Sequence, residues 1–197
     1  MISAQIVADS LSPHGDRLIS VLCTFPRIIL AEVNTHRMLS KNTSSSRAIP
    51  FEKMVEAVKN DPFIPIAWQK DHKGMQGTEY WMDGEKYEFP VDDRDAINTN
   101  IGTWKQAMEL AVSQAKYLNN SGKGNVTKQL CNRLLEPFMW TTMLITGSKE
   151  GWDNFFNLRC PQYQYKGSSF FKSKKELVAY YPETANFTDV EWLKLNT

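Results

Sequence analysis

Apolar side chains along this chain switch between two spacings, and the switches divide it into elements. Residues 3–10 and 17–24 are short apolar-rich runs separated by LSPHGD, where Pro13 and Gly15 supply turn chemistry, so they predict two β-strands joined as a hairpin. From 26 to 33, Ile28, Ile29, Ala31 and Val33 are too few to fix a period. A helix running on into Thr35-His36-Arg37 is the expectation. Met54, Val55 and Val58 place one face of a short helix over 51–59, which Asp61-Pro62 ends. Residues 63–93 are rich in Pro, Gly, Trp and Tyr without sustained period and read as an irregular insertion of the kind that can form a lid.

The second half reads as helical. Ile101, Trp104, Met108, Ala111, Val112, Ala115 and Leu118 recur at helical spacing until NNSGKG stops them. Residues 126–147 predict a second helix with Leu130, Leu134 and Phe138 on one face. Pro137 inside it cannot donate to the carbonyl of Arg133, so a kink is expected. A third helix spans 150–159 and stops at Cys160-Pro161; a weaker one covers 174–180. The chain shows neither an internal repeat nor a low-complexity tract.

Composition narrows the class more than the function. The 197 residues suffice for one domain with a sizeable core, and 42% apolar with 23% charged residues is ordinary for a soluble globular protein. A net charge of +1 gives no global field for nucleic acid or an anionic membrane, so anion binding must come from local clusters. Cys23, Cys131 and Cys160 are far apart and lack zinc-ligand spacing, which predicts reduced thiols and no metal. The first twelve residues contain Asp9 and no basic region, and Pro26, Arg27 and Glu32 interrupt the most apolar run before it can span a bilayer. A cytosolic enzyme or binding protein fits.

Three places carry candidate chemistry. Trp152, Phe155, Phe156 and Arg159 stand at i, i+3, i+4 and i+7, so a guanidinium occupies an apolar stripe; it either binds an anion or snorkels to solvent or a carboxylate. Arg133 has Gln129 at i−4 and Glu136 at i+3, which permits either an anion contact or a local surface pair with Glu136. NTHRMLSKNTSSSRAIP sets Arg37 and Arg47 ten residues apart with Ser40, Asn42 and Ser45 between them. Forked guanidinium and hydroxyl donors suit phosphate, while a solvated loop whose Ser and Thr cap the helix at Phe51 is the plainer alternative. His36 has no second histidine at metal-ligand spacing, and neither a Rossmann fingerprint nor a P-loop occurs. Residues alone thus lead to an α+β domain with four arginines placed for anions.

The order of these parts resembles a known family. Thr35-His36-Arg37-x-x-Ser40-x-Asn42-x-x-Ser45-x-Arg47 looks like the Arg-His-Arg-x-x-Ser-x-Asn-x-x-Ser-x-Arg signature of flavin-dependent thymidylate synthases. NRLLEPF at 132–138 resembles that family's Ala-Arg-x-x-Leu-Pro segment, and NFFNLR at 154–159 its Asn-Phe-x-x-Leu-Arg segment; SSSRAIP at 44–50 and NRLLEPF look most like the phage-type branch, which would place the chain in the host cytoplasm. The resemblance spans roughly residues 1–160.

It implies an α/β (α+β) fold with an antiparallel sheet and long packed helices, and a homotetramer with sites at subunit interfaces. It implies FAD as cofactor and NADPH and methylenetetrahydrofolate as co-substrates, with reduced flavin supplying the hydride that completes dTMP from dUMP. By position, His36, Arg37, Ser40, Asn42 and Asn154 fall on the flavin side. Ser45, Arg47, Arg133 and Arg159 fall on the nucleotide side, with Arg159 the catalytic group and Ser45 binding rather than attacking. The chain departs from the family at Thr35, which replaces an arginine, at Glu150, where Asn-x-Arg is usual around Ser148, and at Glu32, where glutamine is common. The Glu-Ile pair that follows in the family is absent, as expected if residues 1–197 form a single domain short of a C-terminal segment. A pyrimidine nucleotide hydroxymethylase and a non-catalytic nucleotide-binding relative are the alternatives.

Overall fold

The computed structural model describes residues 2–71, 80–81, 94–119, 124–160, 162–171, 174–188, 191 and 194–195. Strands β1 (Ser3–Leu11) and β2 (Arg17–Pro26) form the expected hairpin. Its turn closes through Gly15 N–H donating to the Ser12 carbonyl at 3.0 Å, with Gly15 at φ +93°, a conformation that glycine reaches without strain.

The segment 27–34 is helical, as a 3-10 turn at Arg27–Ile29 followed by α1 (Leu30–Asn34). It does not continue into Thr35-His36-Arg37. The Lys41 ammonium donates to the carbonyls of Asn34 and His36, taking up oxygens a further turn would have used. Lys41 lies in β3 (Ser40–Thr43), a strand that four polar residues in sequence do not announce.

Residues 126–147 are not one helix. They form α4 (Lys128–Cys131), a 3-10 helix at Asn132–Phe138, and most of strand β6 (Trp140–Ser148). From Trp140 the pattern WTTMLITGS alternates, with Thr141, Met143, Ile145 and Gly147 buried, and its β-branched residues favour extended backbone. Pro137 therefore sits near the end of a short 3-10 helix and kinks nothing. The buried face is Cys131, Leu135 and Phe138, whereas Leu130 and Leu134 are 61% and 42% exposed.

The four-stranded sheet has the order β1-β2-β6-β3. Ser20 meets Thr146 at 2.7 Å and Thr24 meets Thr142 at 3.0 Å, so advancing four residues in β2 retreats four in β6: the pair is antiparallel. The fold class is thus the mixed α/β one expected, an antiparallel sheet with helices.

The chain divides into two compact units, one of Met1–Ala4, Cys23–Val33 and Thr43–Met143, the other of Gln5–Leu22, Asn34–Asn42 and Leu144–Thr197. In the first, α2 (Phe51–Asn60) buries Phe51, Met54, Val55 and Val58 with Met108, Val112 and Ala115 of α3 (Arg94–Asn119) and with Cys131, Leu135, Phe138 and Met139. Each Phe, Met, Val or Leu among them contributes about 1.5–3 kcal/mol on burial, which makes this a stabilising core of the unit. Two short strands, β4 (Trp68–Gln69) and β5 (Tyr80–Trp81), pair antiparallel with Trp68 opposite Trp81. The rest of the insertion read at 63–93 lies outside the described residues at 72–79 and 82–93.

In the second unit, α5 (Lys149–Arg159) starts at an N-cap, the Ser148 hydroxyl accepting from Gly151 N–H at 3.3 Å. Trp152 is buried and its Nε1–H donates to the Ile19 carbonyl at 3.2 Å. A Cβ on Gly151 would lie 2.9 Å from the Met38 carbonyl oxygen, so the absence of a side chain there lets α5 lie against the turn that follows His36. Helix α6 (Lys174–Tyr180) buries Leu177 against Tyr163, Tyr165, Phe171, Tyr181 and Phe187. The three cysteines are reduced thiols: Cys23 half-buried, Cys131 buried, Cys160 exposed.

Candidate functional site

In the second unit, His36 and Arg159 meet although 123 positions apart. Arg159 Nε–H donates to His36 Nε2 at 2.8 Å, which makes His36 Nε2 the acceptor and leaves Nδ1 to carry the proton of the neutral ring. His36 is 8% exposed and packs edge-to-face with Phe155, centroids 4.8 Å apart at 67°. Burial first, then the charges of Arg159 and Lys41, hold its pKa below the ordinary imidazole value. Arg159 itself is exposed at the last residue of α5, where the helix dipole favours a cation. The stripe holding it is only partly apolar in effect: Trp152 is buried, Phe155 is half-buried and Phe156 is 52% exposed. Arg159 thus reaches solvent and pairs with an imidazole, and its Nη groups remain as the fork that can take an anion.

Arg37, Ser40, Asn42 and Asn154 are exposed in the same unit. Ser40 and Asn42 are two apart on β3 and so share a strand face, offering a hydroxyl and an amide side by side.

In the first unit, Ser45 and Arg47 are exposed on the loop 44–50, and Arg47 Nε–H points to Ser45 Oγ at 3.5 Å. Between them Ser46 is buried, and its hydroxyl donates to the Glu136 carboxylate. Glu136 also faces Arg27, Nε to Oε1 3.4 Å, so it does not form the local pair with Arg133 that sequence permits. The Arg27 side chain is 9% exposed and donates from Nη1 to the Ser44 carbonyl at 3.3 Å and to Thr141 Oγ1 at 3.2 Å. Asn132, fully buried, donates to the carbonyls of Ser46 at 2.8 Å and Ile49 at 2.9 Å. These bonds fasten the loop carrying Ser45 and Arg47 to the 3-10 helix carrying the exposed Arg133.

The loop's hydroxyls do not cap α2. Its N-cap is Pro50, without a side-chain cap bond, and Met54 N–H donates to the Pro50 carbonyl at 3.1 Å. Sequence reading passed over Arg27, Ser46 and Asn132 and named Glu136 only as a local partner for Arg133. For two of them the signal was indirect, a polar residue beside one already named: Ser46 beside Ser45 and Arg47, Asn132 beside Arg133.

The described clefts lie elsewhere. Two, of about 530 and 420 Å³, share Lys59 and Lys116 between α2 and α3, and a third of about 220 Å³ lies against Met139 and Trp140. None of these three is lined by the arginines above. Among the described residues there is no cluster of three or more potential metal ligands, and no helix is long and apolar enough to cross a membrane.

No family model matches the chain, and no curated protein matches it in sequence. Solved structures match in fold. The UMP/dUMP methylase PolB from Streptomyces cacaoi bound with 5-Br dUMP superposes with a TM-score of 0.59 at 15% identity, over 99% of this chain and 91% of that one. The same methylase bound with 5-Br UMP gives 0.59 at 16% identity, over 99% and 90%. The likeness is one of fold. It spans nearly the whole of both chains, so it includes the elements that carry His36, Arg47, Arg133 and Arg159.

Proposed function

We propose that this chain is a flavin-dependent thymidylate synthase that methylates dUMP to dTMP. The observation that carries the reading is the His36–Arg159 bond: two residues singled out by separate segments of the resemblance are hydrogen-bonded in space. The fold shared with a UMP/dUMP methylase supports it. In this reading Arg159, Arg47, Arg133 and Ser45 hold the nucleotide. Arg159 also stabilises negative charge as the pyrimidine becomes electron-rich, a preorganised guanidinium being suited to that work.

The donors on the flavin side fit an acceptor-rich diphosphate: exposed Arg37 and Asn154, with Ser40 and Asn42 on one face of β3. FAD held there would, once reduced by NADPH, supply the hydride that completes the methyl group, whose carbon would come from methylenetetrahydrofolate. The chain's own part is binding and orientation. Self-association as a homotetramer belongs to the same reading, and strand β1 supports it: all nine residues are exposed, among them Ile6, Val7 and Leu11, as suits a strand that another subunit covers.

The test is the visible absorbance of the purified chain with and without FAD, combined with tritium release from 5-tritiated dUMP in the presence of NADPH and methylenetetrahydrofolate. Flavin retention and nucleotide-dependent release are expected; neither one occurring ends the reading. Running UMP beside dUMP identifies the acceptor, and product mass separates methylation from hydroxymethylation.

Glu150 favours a second reading. It stands in the first turn of α5, and hydrogen bonds from its own backbone amide and from Ser148 hold its carboxyl below the usual range, so it stays ionised where the family has a phosphate contact. A nucleotide-binding relative that has lost the flavin would show dUMP binding by calorimetry and none of FAD.

A further inference from the structure

We propose that His36 is a positioning residue for Arg159: the uncharged imidazole accepts from Arg159 Nε and aims its Nη fork at the nucleotide, and protonation of the ring releases it. The proposal rests on Arg159 being a nucleotide contact, and it gives His36 a different task from the flavin contact that resemblance implies. Its basis is geometric. An arginine side chain has four rotatable bonds, and a 2.8 Å bond at Nε fixes the plane of the guanidinium while leaving both Nη groups for a bidentate contact. The partner is itself immobilised. His36 is buried, its ring packs edge-to-face with Phe155 at a centroid separation of 4.8 Å, and the Lys41 ammonium holds its backbone carbonyl.

The charged groups facing the ring, among the described residues, are both cations, Arg159 of α5 and Lys41 of β3. A protonated His36 would place a third positive charge among them and would lose the lone pair that accepts from Arg159. Acid therefore frees the guanidinium, and alkali restores the pair.

The experiment uses the full chain. Imidazole nitrogen-15 shifts of wild type are recorded across pH, with His36→Gln to assign the resonance, and repeated on Arg159→Met. Calorimetry then measures dUMP binding at pH 8 and pH 5.5 for wild type, His36→Gln, His36→Leu and Arg159→Met. We expect an Nδ1–H tautomer titrating below the ordinary value in wild type and moving up towards it in Arg159→Met. His36→Gln, which keeps an acceptor without a titration, binds dUMP as wild type does at pH 8 and is less weakened by acid. His36→Leu, which keeps neither, binds about tenfold more weakly, the loss of one charge-assisted bond.

Two results overturn the positioning role alone: His36 titrating at or above the ordinary value with no response to Arg159→Met, or His36→Leu binding dUMP as wild type does while Arg159→Met is impaired. If Arg159→Met binds dUMP normally, the nucleotide role of Arg159 fails and the positioning role with it, and the nitrogen-15 data show whether the pair itself exists.

Discussion

Asn132 donates both hydrogens of its side-chain amide to the loop that follows β3, one to the Ser46 carbonyl at 2.8 Å and one to the Ile49 carbonyl at 2.9 Å. The 3-10 helix with Arg133 and the loop with Ser45 and Arg47 are thereby one mechanical piece. Asn132→Ala leaves two backbone oxygens without their donors at a fully buried position. The expected loss is about 2–4 kcal/mol of unfolding free energy, checked by urea titration.

Glu136 is the counter-charge of a guanidinium it shares with no other carboxylate among the described ion pairs. Glu136→Gln keeps the shape and an acceptor for Ser46 but leaves Arg27 uncompensated. Full burial of such a pair would make its rupture cost about 3–5 kcal/mol; Glu136 is a third exposed, so about 1–3 kcal/mol is expected. A double-mutant cycle with Arg27→Met isolates the pair, because the double variant should recover part of the loss.

His36 makes stability depend on pH with a definite sign. Its folded pKa lies below the ordinary 6.5, so the unfolded chain binds the proton more readily. The stabilisation is complete above about pH 6.5 and is lost as pH falls from there through the folded pKa. Chemical denaturation at pH 8, 6.5 and 5 should show wild type losing more of its stability than His36→Gln does. Parallel curves would remove His36 as the source.

Gly151→Ala puts a methyl carbon 2.9 Å from a backbone oxygen that no rotamer can move. Alanine is otherwise the better helix former by about 1 kcal/mol, so propensity predicts stabilisation and packing predicts the reverse. Packing should win, because the contact is with backbone at Met38, and the melting temperature should fall. The His36 nitrogen-15 shift should move as well, since α5 carries both the glycine and Arg159.

Much of the fold was legible where period and turn chemistry agreed. The hairpin and the helices at 51–60, 149–159 and 174–180 stand within a residue or two of where spacing put them, and α3 is described from Arg94, upstream of the first position of its apolar pattern at Ile101. The failure at 126–147 has a physical cause. Leu130, Leu134 and Phe138 are spaced by four, which mimics a helical stripe, while the true signal was the alternation of Thr141, Met143, Ile145 and Gly147. Strand β3 gave no signal, because Ser-Lys-Asn-Thr owes its extended form to a neighbour, the Thr43 hydroxyl donating to the Thr142 carbonyl at 2.8 Å. At the candidate site the exposed donors were legible from residue type. Arg27 was not, since nothing in a linear pattern says whether an arginine that interrupts an apolar run will turn out to solvent or, as here, stay with only 9% of its side chain exposed.

The three sulfurs offer an unplanned clock. Cys160 is open to solvent and adjoins Arg159, whereas Cys131 is enclosed by the helices of the first unit. A maleimide should therefore tag Cys160 at once, half-buried Cys23 more slowly, and Cys131 only during transient opening. The third and slowest adduct would time the breathing of the scaffold beneath Arg133 without any engineered label.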